Sequence, residues 1–308
     1  MTSIISRLSR GWERLKNGTL TARIAEIRRA RRTQRRLAWW KKREGQTGYV
    51  TTEVQPGVQM QLYFDSHLAR RIYRGDFEWR ERQFFNRLLR AGDVFIDAGA
   101  NIGLFTTLAA YRVGVRGEVY AFEPCASTFQ RLQDNLTLNH FTNTRSFRVG
   151  LSSQPAELEM KILPNGGDAQ NSLGRPISGD KFDVEQISCI TLDDFVREHG
   201  LQARATVMKV DVEGWETHLL QGAKNFLSDA QAPTLLIEFN DRAAEGAGSS
   251  CAELRELLDA FGYQLFRYDA VTNRLQIETP QPEYFSDNLV ATKQADWVNQ
   301  RLADNKHK

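Results

Sequence analysis

Val94-Phe-Ile-Asp97-Ala-Gly99-Ala-Asn101-Ile-Gly103-Leu-Phe-Thr106 begins as a short, nearly continuous apolar run and ends in a pattern of glycines that opens a helix. Such a run suits a buried strand of a parallel sheet, which is covered on both faces. Gly99 and Gly103 allow the backbone to turn sharply and approach a ligand closely, and the free N–H groups of the following helix offer a site for an anionic group. A dinucleotide fingerprint would carry glycine at position 101 and a small residue at 104. The chain has Asn101 and Leu104, so a pyrophosphate is disfavoured relative to a smaller anion such as an amino acid carboxylate.

The next apolar run ends Val119-Tyr-Ala-Phe-Glu123-Pro124, one strand-helix-strand step later. A carboxylate at that place can accept hydrogen bonds from both hydroxyls of a ribose. Together the two segments point to a nucleoside that carries an amino acid tail, and S-adenosylmethionine (SAM) is such a ligand. Asp97, Gly99, Asn101 and Gly103 are expected around its methionine end, Glu123 at its ribose, and Leu151 or Ser152, after the third strand, beside its adenine.

Further strands are predicted at Arg145 to Leu151, Thr206 to Val210 and Thr234 to Phe239, separated by amphipathic helices, with a closing antiparallel hairpin at Tyr263 to Tyr268 and Asn288 to Thr292. This alternation specifies an α/β fold with a mostly parallel sheet. Helical spacing supports the intervening helices at Phe129, Leu132 and Leu136, at Trp215, Leu219, Ala223 and Leu227, and at Leu254, Leu257, Leu258 and Phe261, the last closed by Gly262. Between the third and fourth parallel strands, Glu157 to Ile162 alternates like an extra strand. Pro164 to Asp180 then reads as a long Gly-, Asn-, Ser- and Pro-rich loop, of the kind that forms a lid or substrate-binding segment or is simply mobile.

The fourth strand ends Val207-Met-Lys209-Val-Asp211-Val-Glu213-Gly214-Trp215-Glu216. Ligands of open α/β sheets sit beyond the carboxyl ends of the strands. Strand alternation puts Lys209, Asp211 and Glu213 on one side, where three ionisable groups can shift one another's pKa and move a proton. The alternative is an internal ion pair that shapes the loop. Asp211 is the candidate general base, Lys209 its orienting partner, and Glu213 or Glu238 the reserve base.

Several classes are excluded or disfavoured by composition. Cys125, Cys189 and Cys251 are odd in number and widely spaced, and the five histidines show no close ligand spacing, so neither a disulfide framework nor a metal site is expected. No apolar run reaches the roughly 18 residues of a membrane span, and no secretory signal core is present. A cytoplasmic protein, with peripheral membrane contact as an alternative, is expected.

Of the chain's charge, Met1 to Arg43 holds 14 lysines and arginines against Glu13 and Glu26, leaving 27 basic and 36 acidic residues in the body. Ile4, Ile5, Leu8, Trp12 and Leu15, then Leu20, Ile24 and Ile27, recur at helical spacing within this arm. It reads as a basic amphipathic pair that meets an anionic membrane surface, a partner protein or RNA, or else packs on the body. An organelle-targeting peptide has a similar composition. The organisation expected is an arm over 1–43, a small β hairpin or connector over 44–77 around Val54, Val58, Met60, Leu62 and Phe64, and a catalytic domain over 78–308 that opens with a helix at Glu78 to Leu89.

The ordered set Gly92-Asp93, Asp97-Ala-Gly99-Ala-Asn101-Ile-Gly103, Glu123-Pro124, Leu132, Asn135 and Asn139, Thr191-Leu-Asp193, Lys209-Val-Asp211-Val-Glu213-Gly214-Trp-Glu216 and Ile237-Glu238 is similar to the FkbM-type SAM-dependent methyltransferases. The resemblance spans about Glu78 to Thr292. It implies a class I Rossmann-like methyltransferase fold, with seven strands and helices on both faces, and O-methylation of a hydroxyl on a sugar, glycolipid or small metabolite. Trp215, where the family often has a small residue, and the Arg-rich arm depart from the pattern. An RNA methyltransferase steered by the arm and a noncatalytic SAM-fold binding protein are the rival readings. The first should lose binding steeply with salt; against it, the body lacks an NPPY-type or paired-cysteine catalytic motif.

Overall fold

Strand β3 (Val94–Ala98) is buried along its whole length, as its apolar run requires, and it lies inside the main sheet, with a strand paired to it on each side. The computed structural model describes residues 30–75, 77–164, 171–175 and 181–304; the two helices expected within residues 4–27 lie outside them. A helix over 30–41 (α1) leads into a hairpin, β1 (Tyr49–Gln55) and β2 (Val58–Tyr63), and then into α2 (His67–Arg74) and α3 (Trp79–Leu88). After β3 come α4 (Leu104–Val113), β4 (Glu118–Phe122), α5 (Ala126–Leu138) and β5 (Thr144–Phe147).

The chain then leaves the main sheet. Short β6 (Gly150–Leu151), β7 (Ala156–Ile162) and β8 (Asp183–Ile190) form a separate three-stranded sheet in the order β6-β8-β7. It returns through α6 (Leu192–His199), β9 (Val207–Val210), α7 (Glu216–Gln221), α8 (Lys224–Ser228) and β10 (Thr234–Asn240). The remaining elements are α9 (Asp241–Gly246), α10 (Cys251–Ala260), β11 (Gln264–Asp269), β12 (Arg274–Ile277), β13 (Phe285–Thr292) and α11 (Ala295–Ala303).

The main sheet runs β12-β11-β13-β10-β9-β3-β4-β5. Pairs among β5, β4, β3, β9 and β10 are parallel, while β13, β11 and β12 add antiparallel pairs. The sheet therefore has eight strands and is mixed, where seven were expected. The extra member, β12, folds back on the edge of β11, and its polar sequence Arg-Leu-Gln-Ile gave no buried run to identify it. The strand expected over Arg145 to Leu151 is two strands in two sheets, broken at Arg148 and Val149. β8 was not anticipated. Its residues are exposed over much of their length, so burial imposes little alternation on them.

Both faces of the sheet are covered. Ile96, Tyr120, Phe122, Met208 and Leu235 pack with α6, α7, α8 and α10, and Phe95, Val119, Val207 and Leu236 pack with α3, α4 and α11. The second core also takes in Met60 and Leu62 of the hairpin, Ile72 of α2 and Trp40 at the end of α1, so the arm's last turn packs on the body. Asn135 of α5 locks the hairpin in place: its Oδ1 accepts from Gln61 N at 2.7 Å and its Nδ2 donates to Ile102 O at 2.8 Å. Asn139 repeats the device on Gln59. Two side-chain amides thus satisfy backbone groups that an edge strand leaves open. No helix among the described residues is long and apolar enough to cross a membrane.

Candidate functional site

The carboxyl ends of β3, β4, β9 and β10 open into a cleft of about 540 Å³, within the size range of small-molecule sites. Gly99, Asn101, Glu123, Leu151, Lys209, Asp211, Glu213 and Glu238 all line it. Asp97, Gly103 and Ser152 do not, and each has another job.

Asp97 is fully buried beneath the cleft, where its Oδ2 accepts from Thr106 Oγ1 at 2.6 Å and fixes the first turn of α4. Its Oδ1 has no hydrogen-bond partner among the described residues. Burial raises its pKa, against the opposing charge of Lys209 on the adjacent strand. Gly103, at φ 90°, lies against α5, and a Cβ there would sit 2.7 Å from Leu132 Cδ1. Ser152 is buried and accepts from Trp215 Nε1 at 3.1 Å. It therefore positions an aromatic that lines the cleft.

Gly99 has φ 81°, and a Cβ on it would fall 1.8 Å from the carbonyl oxygen of Asp211. Only glycine lets the β3 turn pass this close to the β9 turn. Asn101 occupies the left-handed region at φ 49°, and its Oδ1 accepts from Ile102 N. Its own N–H donates to Glu123 Oε2, while Glu123 Oε1 accepts from Cys125 N, both at 3.0 Å. Those bonds lower the carboxyl's pKa, but desolvation outweighs them and pushes it up to about 7.

The β9 end carries the most concentrated charge. Lys209 is buried, with Nζ 2.7 Å from Asp211 Oδ2 and 5.2 Å from the centroid of the Phe105 ring. Burial alone would lower its pKa, but Asp211, Asp97 and Glu78 hold it above the usual range. The carboxylates of Asp211, Glu213 and Glu238 approach within 4.8 Å of one another. Desolvation, then the mutual repulsion of these acids, raises Glu213 and Glu238 well above the ordinary range. Glu238 Oε1 accepts from Ser286 Oγ at the start of β13.

A tight turn at Glu213 (φ 53°) and Gly214 (φ 98°) ends this strand. Glu216 clamps it by accepting from Val212 N at 2.9 Å and Gly214 N at 3.3 Å. From the inserted segment, Ser172 Oγ donates to Glu213 O at 2.7 Å, and Asn171 and Leu173 reach the cleft wall. The described part of the predicted loop is thus a strap beside the acid group.

Glu78 was missed as a site residue. It lines the cleft at the N-terminus of α3 in a strained left-handed conformation, φ 44°, with its carboxyl pushed up to about 8 by desolvation and then by Asp211. Arg71 on α2, Arg242 on α9 and Phe285 on β13 also line the cleft. None lies on the parallel strand ends where sequence periodicity directs attention. The strain at Glu78 and Glu213 was the kind of signal that only backbone angles reveal.

Comparison with known proteins places this geometry. A "Methyltransferase 1" from Beauveria bassiana is 30% identical over 142 residues, covering 41% of this chain and 57% of the relative. The hexuronic acid methyltransferase AglP of Haloferax volcanii is 32% identical over 135 residues, covering 44% and 52%. The 31-O-demethyl-FK506 methyltransferase FkbM of Streptomyces tacrolimicus is 29% identical over 167 residues, covering 44% and 62%. The chain spans between half and two thirds of the length of these curated relatives. A solved FkbM methyltransferase from Methylobacillus flagellatus KT is 16% identical, with a TM-score of 0.41 over 72% of this chain and 54% of that one. Residues 97–265, more than half of the chain and inclusive of every strand end that forms the cleft floor, match the methyltransferase FkbM domain. This chain belongs to the FkbM methyltransferase family.

Proposed function

We propose that the protein transfers a methyl group from SAM to a hydroxyl oxygen on a sugar, a glycolipid or another small metabolite. The observation that carries this reading is that Glu123, anchored by two backbone N–H groups, shares one cleft with the buried Lys209–Asp211 pair. The residues present suit SAM. Each oxygen of Glu123 has accepted one hydrogen bond and retains capacity for a ribose hydroxyl, Phe122, Val149 and Leu151 give an apolar wall for a base, and the Gly99–Asn101 turn leaves backbone at the cleft surface. SAM supplies, when bound, a methyl already activated on a sulfonium.

The chain's own work is to hold an acceptor hydroxyl in line, exclude water and take up a proton. Asp211 is the proposed proton acceptor, held in place by Lys209 Nζ at 2.7 Å. Glu213 and Glu238 are the reserve positions for that proton. The names of the Haloferax and Streptomyces relatives refer to a hexuronic acid and to an O-demethyl compound, which supports an oxygen acceptor. The basic arm is proposed to bring the enzyme to an anionic membrane surface or a partner protein.

Calorimetry with SAM, followed by transfer from methyl-labelled SAM to a panel of glycans and lipids, tests the reading. Saturable SAM binding and label on at least one hydroxyl acceptor are expected. Absence of SAM binding refutes it, and binding without transfer to any acceptor favours a noncatalytic role.

A further inference from the structure

The cleft lining carries the acids Glu78, Asp211, Glu213 and Glu238 with Lys209 paired to Asp211, and it also carries Arg71 and Arg242. Arg71 is exposed, with its guanidinium 4.3 Å from the centroid of the Phe77 ring; its charge acts on the Glu78 carboxyl, but it makes no ion pair or hydrogen bond to another side chain among the described residues. Arg242 is 65% exposed at its side chain, with only a long 3.9 Å approach to Glu283. Its guanidinium lies 5.8 Å from the centroid of Phe285, itself 63% exposed on the cleft lining. Neighbouring Arg70 differs, since it is taken up by Glu44.

An aromatic face left open beside a small-molecule cleft is a place for an apolar ring face to rest. Guanidinium groups propped against aromatic rings are ordered donors for a carboxylate, sulfate or phosphate, and less of their freedom is lost on binding. Resting on the methyl-transfer reading above, we propose that the acceptor is an anionic hydroxyl compound, a sugar acid or an acid-substituted sugar, whose charged group is read by Arg71 and Arg242 while its ring lies on Phe285. The two guanidinium groups hold the charged end of the acceptor, which leaves its hydroxyl end to enter toward Asp211. A neutral sugar receives no such orientation.

The experiment compares acceptors matched except for charge: p-nitrophenyl glucuronide against p-nitrophenyl glucoside, and glucose 6-phosphate and glucose 6-sulfate against glucose. Both transfer from labelled SAM and binding to the S-adenosylhomocysteine complex are read. At least one anionic member should exceed its neutral partner by about tenfold or more, the scale of one charge-assisted hydrogen bond. Arg71→Ala and Arg242→Ala should bring that ratio near one while the SAM dissociation constant stays at the wild-type value. Which arm responds separates carboxylate from phosphate and sulfate recognition. The proposal is overturned if no anionic member is preferred in either assay, or if both variants keep the preference. Loss of SAM binding by the wild-type chain would instead refute the methyl-transfer reading.

Discussion

The backbone N–H of Asn101 donates to Oε2 of Glu123 at 3.0 Å, so the turn that ends β3 is tied directly to the carboxylate that ends β4. The two strand ends therefore form one unit, in which the acid proposed for the ribose also sets the shape of the turn proposed to meet the amino acid tail.

Removing that acid should damage both functions. Glu123→Ala is expected to weaken SAM binding by roughly tenfold or more, because a buried ligand's hydrogen bonds are left unmade. Titration calorimetry checks this, and an unchanged affinity would reject the assignment of Glu123 to the cofactor.

The same residue predicts a pH effect on the free protein. Its carboxyl is raised from 4.5 to about 7 in the folded chain, so across that window the fold retains a proton that the unfolded chain has released. Stability should fall as pH rises from 4.5 through 7, by up to about 3 kcal/mol from this group. Urea denaturation of Glu123→Gln should show a shallower decline over that range; an identical slope would remove Glu123 as its source.

Asp211→Ala should spare SAM binding and reduce methyl transfer by about a hundredfold or more, the usual worth of a positioned base. A fully active variant would dismiss Asp211 from that role, and a variant that loses SAM affinity in step with turnover would make it a donor-site residue.

At Gly99 the expectation concerns stability. An alanine methyl would land 1.8 Å from the Asp211 carbonyl oxygen at a φ of 81°, so Gly99→Ala should cost about 3 kcal/mol or more, combining backbone strain with overpacking. A midpoint of chemical denaturation matching the wild type would show that the two turns can separate freely.

Asn135→Ala should uncouple the hairpin from the turn after β3, since it orphans Gln61 N and Ile102 O at once. A loss of about 1 to 3 kcal/mol is expected from one buried and one half-buried group left unpaired. Hydrogen exchange at Gln61 should accelerate in that variant, and an unaffected rate there would mean that the hairpin is held by its apolar contacts alone.

The parallel strands were legible because both of their faces are buried, which writes an unbroken apolar run such as Val94-Phe-Ile into the sequence. The cleft residues at their ends were legible for the same reason: Gly99, Asn101, Glu123, Lys209 and Asp211 follow those runs directly. Asp97, Gly103 and Ser152 belong to the same motifs yet support the site from behind, a distinction of depth that residue order does not encode. β12 and β8 carry too little burial to leave an alternation. Glu78, Arg71, Arg242 and Phe285 come from segments whose approach to the cleft depends on tertiary packing, so nothing local in the sequence marks them.

After β5 the chain breaks away from the central sheet and spends β6, β7 and β8 on an outer layer of its own before rejoining at β9. Because Leu151 of β6 and Met160 of β7 line the cleft, a substitution in that layer can reshape the cleft wall without altering the pairing of β3, β4, β9 and β10 that sets the strand ends.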